Sequence, residues 1–87
     1  MSGLPLSWVD DSRDDYLYWQ QTDKSMVRRI NRLISEARRT PETGIGKPEA
    51  LRDNWSGWWS RRITDEHRLI YRVQDGRLEI ASCRYHY

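Results

Sequence analysis

Residues 58–87 read WWSRRITDEHRLIYRVQDGRLEIASCRYHY. Three runs rich in aromatic and branched residues lie here: Trp58 to Ile63, His67 to Val73, and Arg77 to Tyr85. The last two are joined by Gln74-Asp75-Gly76, a turn signal because Asp and Gly tolerate the left-handed backbone of a tight hairpin. Three consecutive strands with short connections predict an antiparallel meander. In the middle run Leu69, Tyr71 and Val73 fall on one face, and Arg68, Ile70 and Arg72 on the other, because side chains alternate along a strand. The first face suits packed helices. The second suits a charged ligand.

Upstream, the apolar residues Met26, Val27, Ile30, Leu33, Ile34 and Ala37 recur at the spacing of an amphipathic helix. Its opposite face carries Lys24, Arg28, Arg29, Arg32, Arg38 and Arg39, which reads as a solvated helix face and, alternatively, as a phosphate grip. Leu6 to Val9 can form a short strand. Asp10 to Ser12 then start a helix of about residues 11–21. Asp14 and Asp15 sit in its first turn, where the helix dipole favours negative charge. Residues 40–57 hold Pro41, Gly44, Gly46, Pro48 and Gly57, so the second helix ends before Pro41 and a long loop follows. Two helices followed by three strands define an α+β domain spanning residues 1–87.

Eighty-seven residues with 37% apolar and 32% charged side chains make one small domain. A chain of this size buries only about 60% of the surface it exposes when unfolded, so association with a copy or a partner would help it. Charge is unevenly placed. Residues 1–23 hold five Asp and one Arg, a net −4, while residues 24–87 hold fourteen Lys or Arg against eight acids, a net +6. Such asymmetry favours a polyanionic partner. The single cysteine, Cys83, excludes an internal disulfide framework, and with two histidines it cannot complete a closed structural zinc site. No apolar run approaches the roughly 20 residues of a membrane span, and no secretory leader precedes the domain, so a cytoplasmic protein is expected.

The chemistry suggested by these residues is phosphodiester cleavage in RNA. That reaction needs a base for the 2′-hydroxyl proton, an acid for the departing 5′-oxygen, and positive charge around the crowded phosphorane between them. The chain can supply all three without a metal or other cofactor. His86 is the natural acid, because an imidazolium near neutral pH protonates an alkoxide well. Glu49, in Lys47-Pro48-Glu49-Ala50-Leu51, is the base candidate, in a segment stiffened by Pro48. Arg68 can aim a planar guanidinium at the phosphate from a strand. His67, one residue away and on the opposite face, reads as structural. Cys83 reads as a small core residue, and the Asn54-Trp55-Ser56-Gly57-Trp58-Trp59 cluster reads as core and interface before base stacking.

Six blocks then combine: Asp14-Asp15-Tyr16-Leu17-Tyr18-Trp19, Arg38-Arg39-Thr40-Pro41, Gly46-Lys47-Pro48-Glu49, Trp59-Ser60-Arg61-Arg62-Ile63-Thr64, Glu66-His67-Arg68-Leu69 and Cys83-Arg84-Tyr85-His86-Tyr87. Together they resemble the YoeB (Txe) toxins of the RelE/ParE superfamily, over about Leu6 to Tyr87. The resemblance implies a microbial-ribonuclease-like (RelE-like) fold, with two helices on a twisted antiparallel sheet. It implies a toxin of a type II toxin-antitoxin system that cuts messenger RNA in the ribosomal A site, is neutralised by a YefM-like antitoxin, and is homodimeric. Operator DNA would be contacted only as the toxin-antitoxin complex. The family's base, arginine and acid fall on Glu49, Arg68 and His86, and its RNA-shaping positions on Arg62 and Tyr87. Lys47 and Arg52 complete the expected RNA contacts, Arg52 standing where lysine is common. Ala50 replaces a frequent proline. The alternative function is a non-catalytic module that binds RNA or the ribosome, or pairs with an antitoxin.

Overall fold

A computed structural model describes residues 3–85. Its elements are β1 (Leu6–Trp8), α1 (Ser12–Thr22), α2 (Lys24–Arg39), β2 (Glu49–Ala50), a 3-10 turn (Asp53–Trp55), β3 (Trp59–Arg62), β4 (Arg68–Gln74) and β5 (Arg77–Ser82). They form one five-stranded sheet in the order β1-β5-β4-β3-β2, with both helices on one face. The expected meander is present, since β3, β4 and β5 pair antiparallel in sequence. β1 differs. It runs parallel to β5, with Leu6 opposite Leu78 and Trp8 opposite Ile80, so the sheet is mixed. A parallel neighbour cannot be reached by a tight turn, and here the helical pair and the other strands supply the long connection.

One residue separates the helices. The backbone of Asp23 is extended (φ −159°, ψ 98°), which ends α1, and its amide donates to the Trp19 carbonyl. The Asp23 carboxylate then accepts the Ser25 and Met26 amides at 3.0 and 3.4 Å, capping α2. These bonds, the Ser25 hydroxyl foremost, hold the Asp23 carboxyl below its ordinary value. From α2, Met26, Ile30, Leu33, Ile34 and Ala37 are buried against Leu69, Tyr71, Leu78 and Ile80 of the sheet. The helix-facing positions predicted from alternation are thus the core, apart from Val73, which is exposed at the far end of β4.

The predicted long loop is more ordered than its composition indicates. Residues 49–50 pair with β3, Glu49 opposite Ser60, and Asp53–Trp55 form a helical turn. The preceding segment wraps a buried cation. Arg61 is fully buried, with Nε donating to the Tyr71 hydroxyl at 2.9 Å and Nη1 to the Ile45 carbonyl at 3.0 Å. Its Nη2 donates to the carbonyls of Thr40 and Thr43, at 2.6 and 2.7 Å. Glu36 supplies the counter-charge at 3.5 Å and also accepts the Ile45 amide. Residues 40–45 are therefore folded around a guanidinium. Gly46 closes the segment at φ 84°, where an added Cβ would lie 2.7 Å from the Leu33 side chain, so a larger residue has neither the conformation nor the room.

Candidate functional site

The face of the sheet away from the helices gathers the predicted residues through strand register. Glu49 lies opposite Ser60, Ser60 opposite Ile70, Ile70 opposite Ser82, and Arg62 opposite Arg68. Residues directly opposite in a ladder point to the same side. Glu49, Arg62 and Arg68 therefore share one surface. With strands about 4.8 Å apart and a rise of about 3.3 Å per residue, the Cα atoms of Glu49 and Arg68 lie roughly 12 Å apart, a span their long side chains can close around one phosphodiester. Ile70, fully buried, and Leu51, 7% exposed, lie outside the helix-side cluster, so this face has apolar residues of its own beneath the charges.

Arg68 is the first residue of β4. Its Nη1 donates to the Thr64 carbonyl at 2.7 Å and approaches those of Asp65 and His67 at 3.4 Å, so the guanidinium rests on the turn between β3 and β4. Arg62 makes a loose pair with Asp65 at 3.7 Å, with both side chains well exposed. Lys47 and Arg52 are exposed on either side of Glu49. A shallow pocket of about 340 Å³ is lined by Glu49, Ala50, Leu51, Arg52 and Asp53. Arg72 shares the face but is occupied, donating to Glu79 at 2.8 Å and covering the Trp58 ring at 4.3 Å. Of the clustered tryptophans, Trp59 packs against the core, while Trp55 and Trp58 meet edge-on at 5.7 Å on the open side.

The chain beyond β5 is tied down by α1. Asp15 accepts the Cys83 amide at 3.1 Å and the Ser82 hydroxyl at 3.4 Å, and the Trp19 indole donates to the Cys83 carbonyl at 3.0 Å. Burial raises the Asp15 carboxyl above its ordinary value despite these bonds. Burial also pushes the Cys83 thiol up to about 12, which keeps it neutral at physiological pH and agrees with its reading as a core residue. The Arg84 guanidinium lies 3.6 Å over the Tyr18 ring and 4.8 Å over that of Tyr85. Tyr85 is fixed through its backbone: its amide donates to His67 Nδ1 at 2.7 Å, and its carbonyl accepts the Arg68 amide at 3.0 Å.

Sequence reasoning named seven site residues, and five of them, Lys47, Glu49, Arg52, Arg62 and Arg68, fall within the described region; His86 and Tyr87 lie outside it. Asp15 and Trp19 as anchors of the chain's end were not foreseen. Their partner Cys83 is more than sixty residues away, and local periodicity carries no signal for such a contact. Among the described residues no three His, Cys, Asp or Glu gather as metal ligands, and no helix is long and apolar enough to cross a membrane.

A two-helix layer on one face of a small sheet, with a carboxylate and arginines on the other, is the α+β arrangement that the resemblance to RelE-like toxins implies. Residues 8–87 match the family model described as the YoeB-like toxin of bacterial type II toxin-antitoxin systems. The chain is 62% identical to the toxin YoeB of Escherichia coli K12 over 84 residues, covering 97% of this chain and 100% of that one. It superimposes on a YoeB/ParE toxin from Agrobacterium tumefaciens with a TM-score of 0.94 and 53% identity, over 97% of this chain and 100% of that one. Two Staphylococcus aureus structures, a heterotetrameric YoeB-YefM complex and a YoeB dimer, each give a TM-score of 0.88 and 48% identity over 97% of this chain and 98% of theirs. The chain belongs to the YoeB-like toxins of bacterial type II toxin-antitoxin systems.

Proposed function

We propose that this toxin is a metal-independent endoribonuclease that cleaves messenger RNA in the ribosomal A site, within the cytoplasm. Glu49 takes the proton of a 2′-hydroxyl, and the resulting 2′-oxygen attacks the adjacent phosphorus. Arg68, swung from the turn carbonyls onto the phosphate, neutralises the charge that develops on the phosphorane oxygens. His86 gives its proton to the 5′-oxygen as the P–O5′ bond breaks, leaving a 2′,3′-cyclic phosphate and a 5′-hydroxyl. Lys47, Arg52 and Arg62 hold the flanking phosphates, and Tyr87 packs against the RNA beside the cut.

The observation that carries this reading is the shared face of Glu49 and Arg68, joined to the anchoring of Tyr85, the residue before His86, on the amide of Arg68. The same cationic face suits an acidic segment that folds on binding, so a YefM-like antitoxin covering it would block cleavage. A YefM complex and a dimer among the solved relatives support both an antitoxin partner and a homodimer for this chain.

The test is 5′-end mapping of message on programmed ribosomes, with the wild type beside Glu49→Ala and His86→Ala. A new A-site cut that both variants lose is expected. Intact message in every lane, with ribosome binding retained, would favour a non-catalytic module instead.

A further inference from the structure

We propose that His67 is a positioning residue for the terminal acid: by accepting the Tyr85 amide proton on Nδ1, it holds the backbone turn from which the chain proceeds to His86. The inference rests on the function proposed above.

Tyr85 has a φ of 63°, a left-handed conformation that a side chain with a Cβ rarely adopts unless the surroundings impose it. Both of its backbone polar groups are engaged here. The amide donates to His67 Nδ1 at 2.7 Å, and the carbonyl accepts from the Arg68 amide at 3.0 Å. His67, just before β4, and Arg68, its first residue, thus hold both backbone polar groups of one residue. The second of them also carries the guanidinium assigned to the phosphate. The strand that carries the guanidinium and the residue before His86 are thereby joined through the backbone.

The His67 ring cannot turn away easily. It is 8% exposed, stands edge-on to Trp19 at 4.8 Å and packs beside the Tyr85 ring at 5.2 Å. An amide N–H can only donate, so Nδ1 must be the unprotonated nitrogen and Nε2 carries the hydrogen, facing Glu66 at 3.6 Å. Asp15 and Trp19 hold Cys83, and the Tyr18 ring holds Arg84. The bond to His67, with that from the Arg68 amide, continues this fixation to the Tyr85 backbone.

The test compares His67→Gln with His67→Asn. Asparagine can present an amide oxygen where Nδ1 stands, whereas glutamine places its amide near Nε2 and leaves the Tyr85 amide without its acceptor. A third protein removes the donor instead: native ligation at Cys83 of a peptide carrying an ester in place of the Arg84-Tyr85 amide. Each is assayed on ribosome-bound message and on the same message with a 5′-bridging sulfur at the cut, whose thiolate leaves without protonation. His86→Ala runs alongside.

The glutamine and ester proteins should lose about 10- to 100-fold in kcat with KM near wild type. They should recover most of that on the sulfur substrate, as His86→Ala does, while His67→Asn stays within about threefold of wild type on both. Wild-type rates for the glutamine and ester proteins, with His86→Ala inactive, would overturn the inference and leave the proposed function standing. An equal loss on both substrates would reduce His67 to a structural role and also overturn it. A fully active His86→Ala would remove the proposed function and this inference with it. If His67→Gln does not fold, the ester protein, with its side chains untouched, decides.

Discussion

Arg61 and Arg62 are neighbours in β3 and have opposite fates. Arg61 faces the helix layer, is fully buried and spends its donors on three carbonyls, a tyrosine hydroxyl and Glu36. Arg62 faces the open side, where its guanidinium makes one long contact with an exposed aspartate. The same residue type is mortar on one face and an available cation on the other, and strand alternation decides which. On the helix-facing side each nitrogen of the Arg61 guanidinium is answered, so the layer around it is closed. The open face keeps in Arg62 a cation whose partner is weak and easily exchanged for phosphate.

Breaking the closed layer should have the largest effect. Arg61→Met removes the guanidinium around which residues 40–45 are folded: the Thr40, Thr43 and Ile45 carbonyls lose its donors, and Glu36 loses its counter-charge and keeps the Ile45 amide. Loss of one partner from a buried charged network costs about 3–5 kcal/mol, and a domain of this size loses roughly 4–8 °C in Tm per kcal/mol. Thermal melts should therefore fall by more than about 10 °C, with loss of cleavage as a consequence, because the displaced segment leads into Lys47 and Glu49. A variant that melts within a few degrees of wild type would show that water answers the orphaned carbonyls and that the layer is not closed.

The matching substitution on the open face sharpens the contrast. Arg62→Ala deletes an exposed pair worth about 0–1 kcal/mol, so the melt should barely move. The Arg62 carbonyl, which accepts from Arg29, is untouched. Cleavage on programmed ribosomes should fall about tenfold, a modest loss of charge stabilisation. The opposite pattern, a lower melt with unchanged cleavage, would make Arg62 a structural residue and remove it from the RNA surface.

The elements legible from sequence are those carried by short-range pattern. The period of Met26 to Ala37 located α2, and alternation in residues 68–73 named both faces of β4. Arg68 could be assigned to a strand and His67 to the interior for the same reason. What escaped depends on distant partners. Arg61 has the right parity for the core, but nothing local says that a charge there will be met by carbonyls from residues 40, 43 and 45. Glu49 looked like loop because a two-residue strand carries no periodicity, and it becomes a strand only when β3 lies beside it. β1 gave no hint of its parallel partner, whose residues are about seventy positions later. Glu49, Arg68 and His86 came from reaction chemistry, which asks for residue types and not positions. The fold supplies the common face for the first two.

The smallest expected effect separates two aspartates that both hold α1 in place. Asp23 lies within the helix layer, and its carboxyl is held below the ordinary 3.8 by bonds led by the Ser25 hydroxyl. A lowered folded value stabilises the fold above 3.8, and that contribution is lost as pH falls through the lowered value. Asp15 joins the helix layer to Ser82 and Cys83 at the end of β5, and burial raises its carboxyl above 3.8. Its contribution has the reverse sign: it is fully present below 3.8 and is lost as pH rises through the raised value, so the ionised form is a mild burden at pH 7. Melts from pH 7 down to about 2.5, which bracket both carboxyls, should show Asp23→Ala less stable than wild type at neutral pH, with the gap narrowing in acid. Asp15→Asn keeps an acceptor for the Cys83 amide and should match or slightly exceed wild type at pH 7, that margin vanishing below 3.8. If Asp15→Asn is instead the weaker protein at pH 7 and the difference closes in acid, the ionised carboxylate is itself the bond that secures the chain's end, and the junction between the two layers is electrostatic.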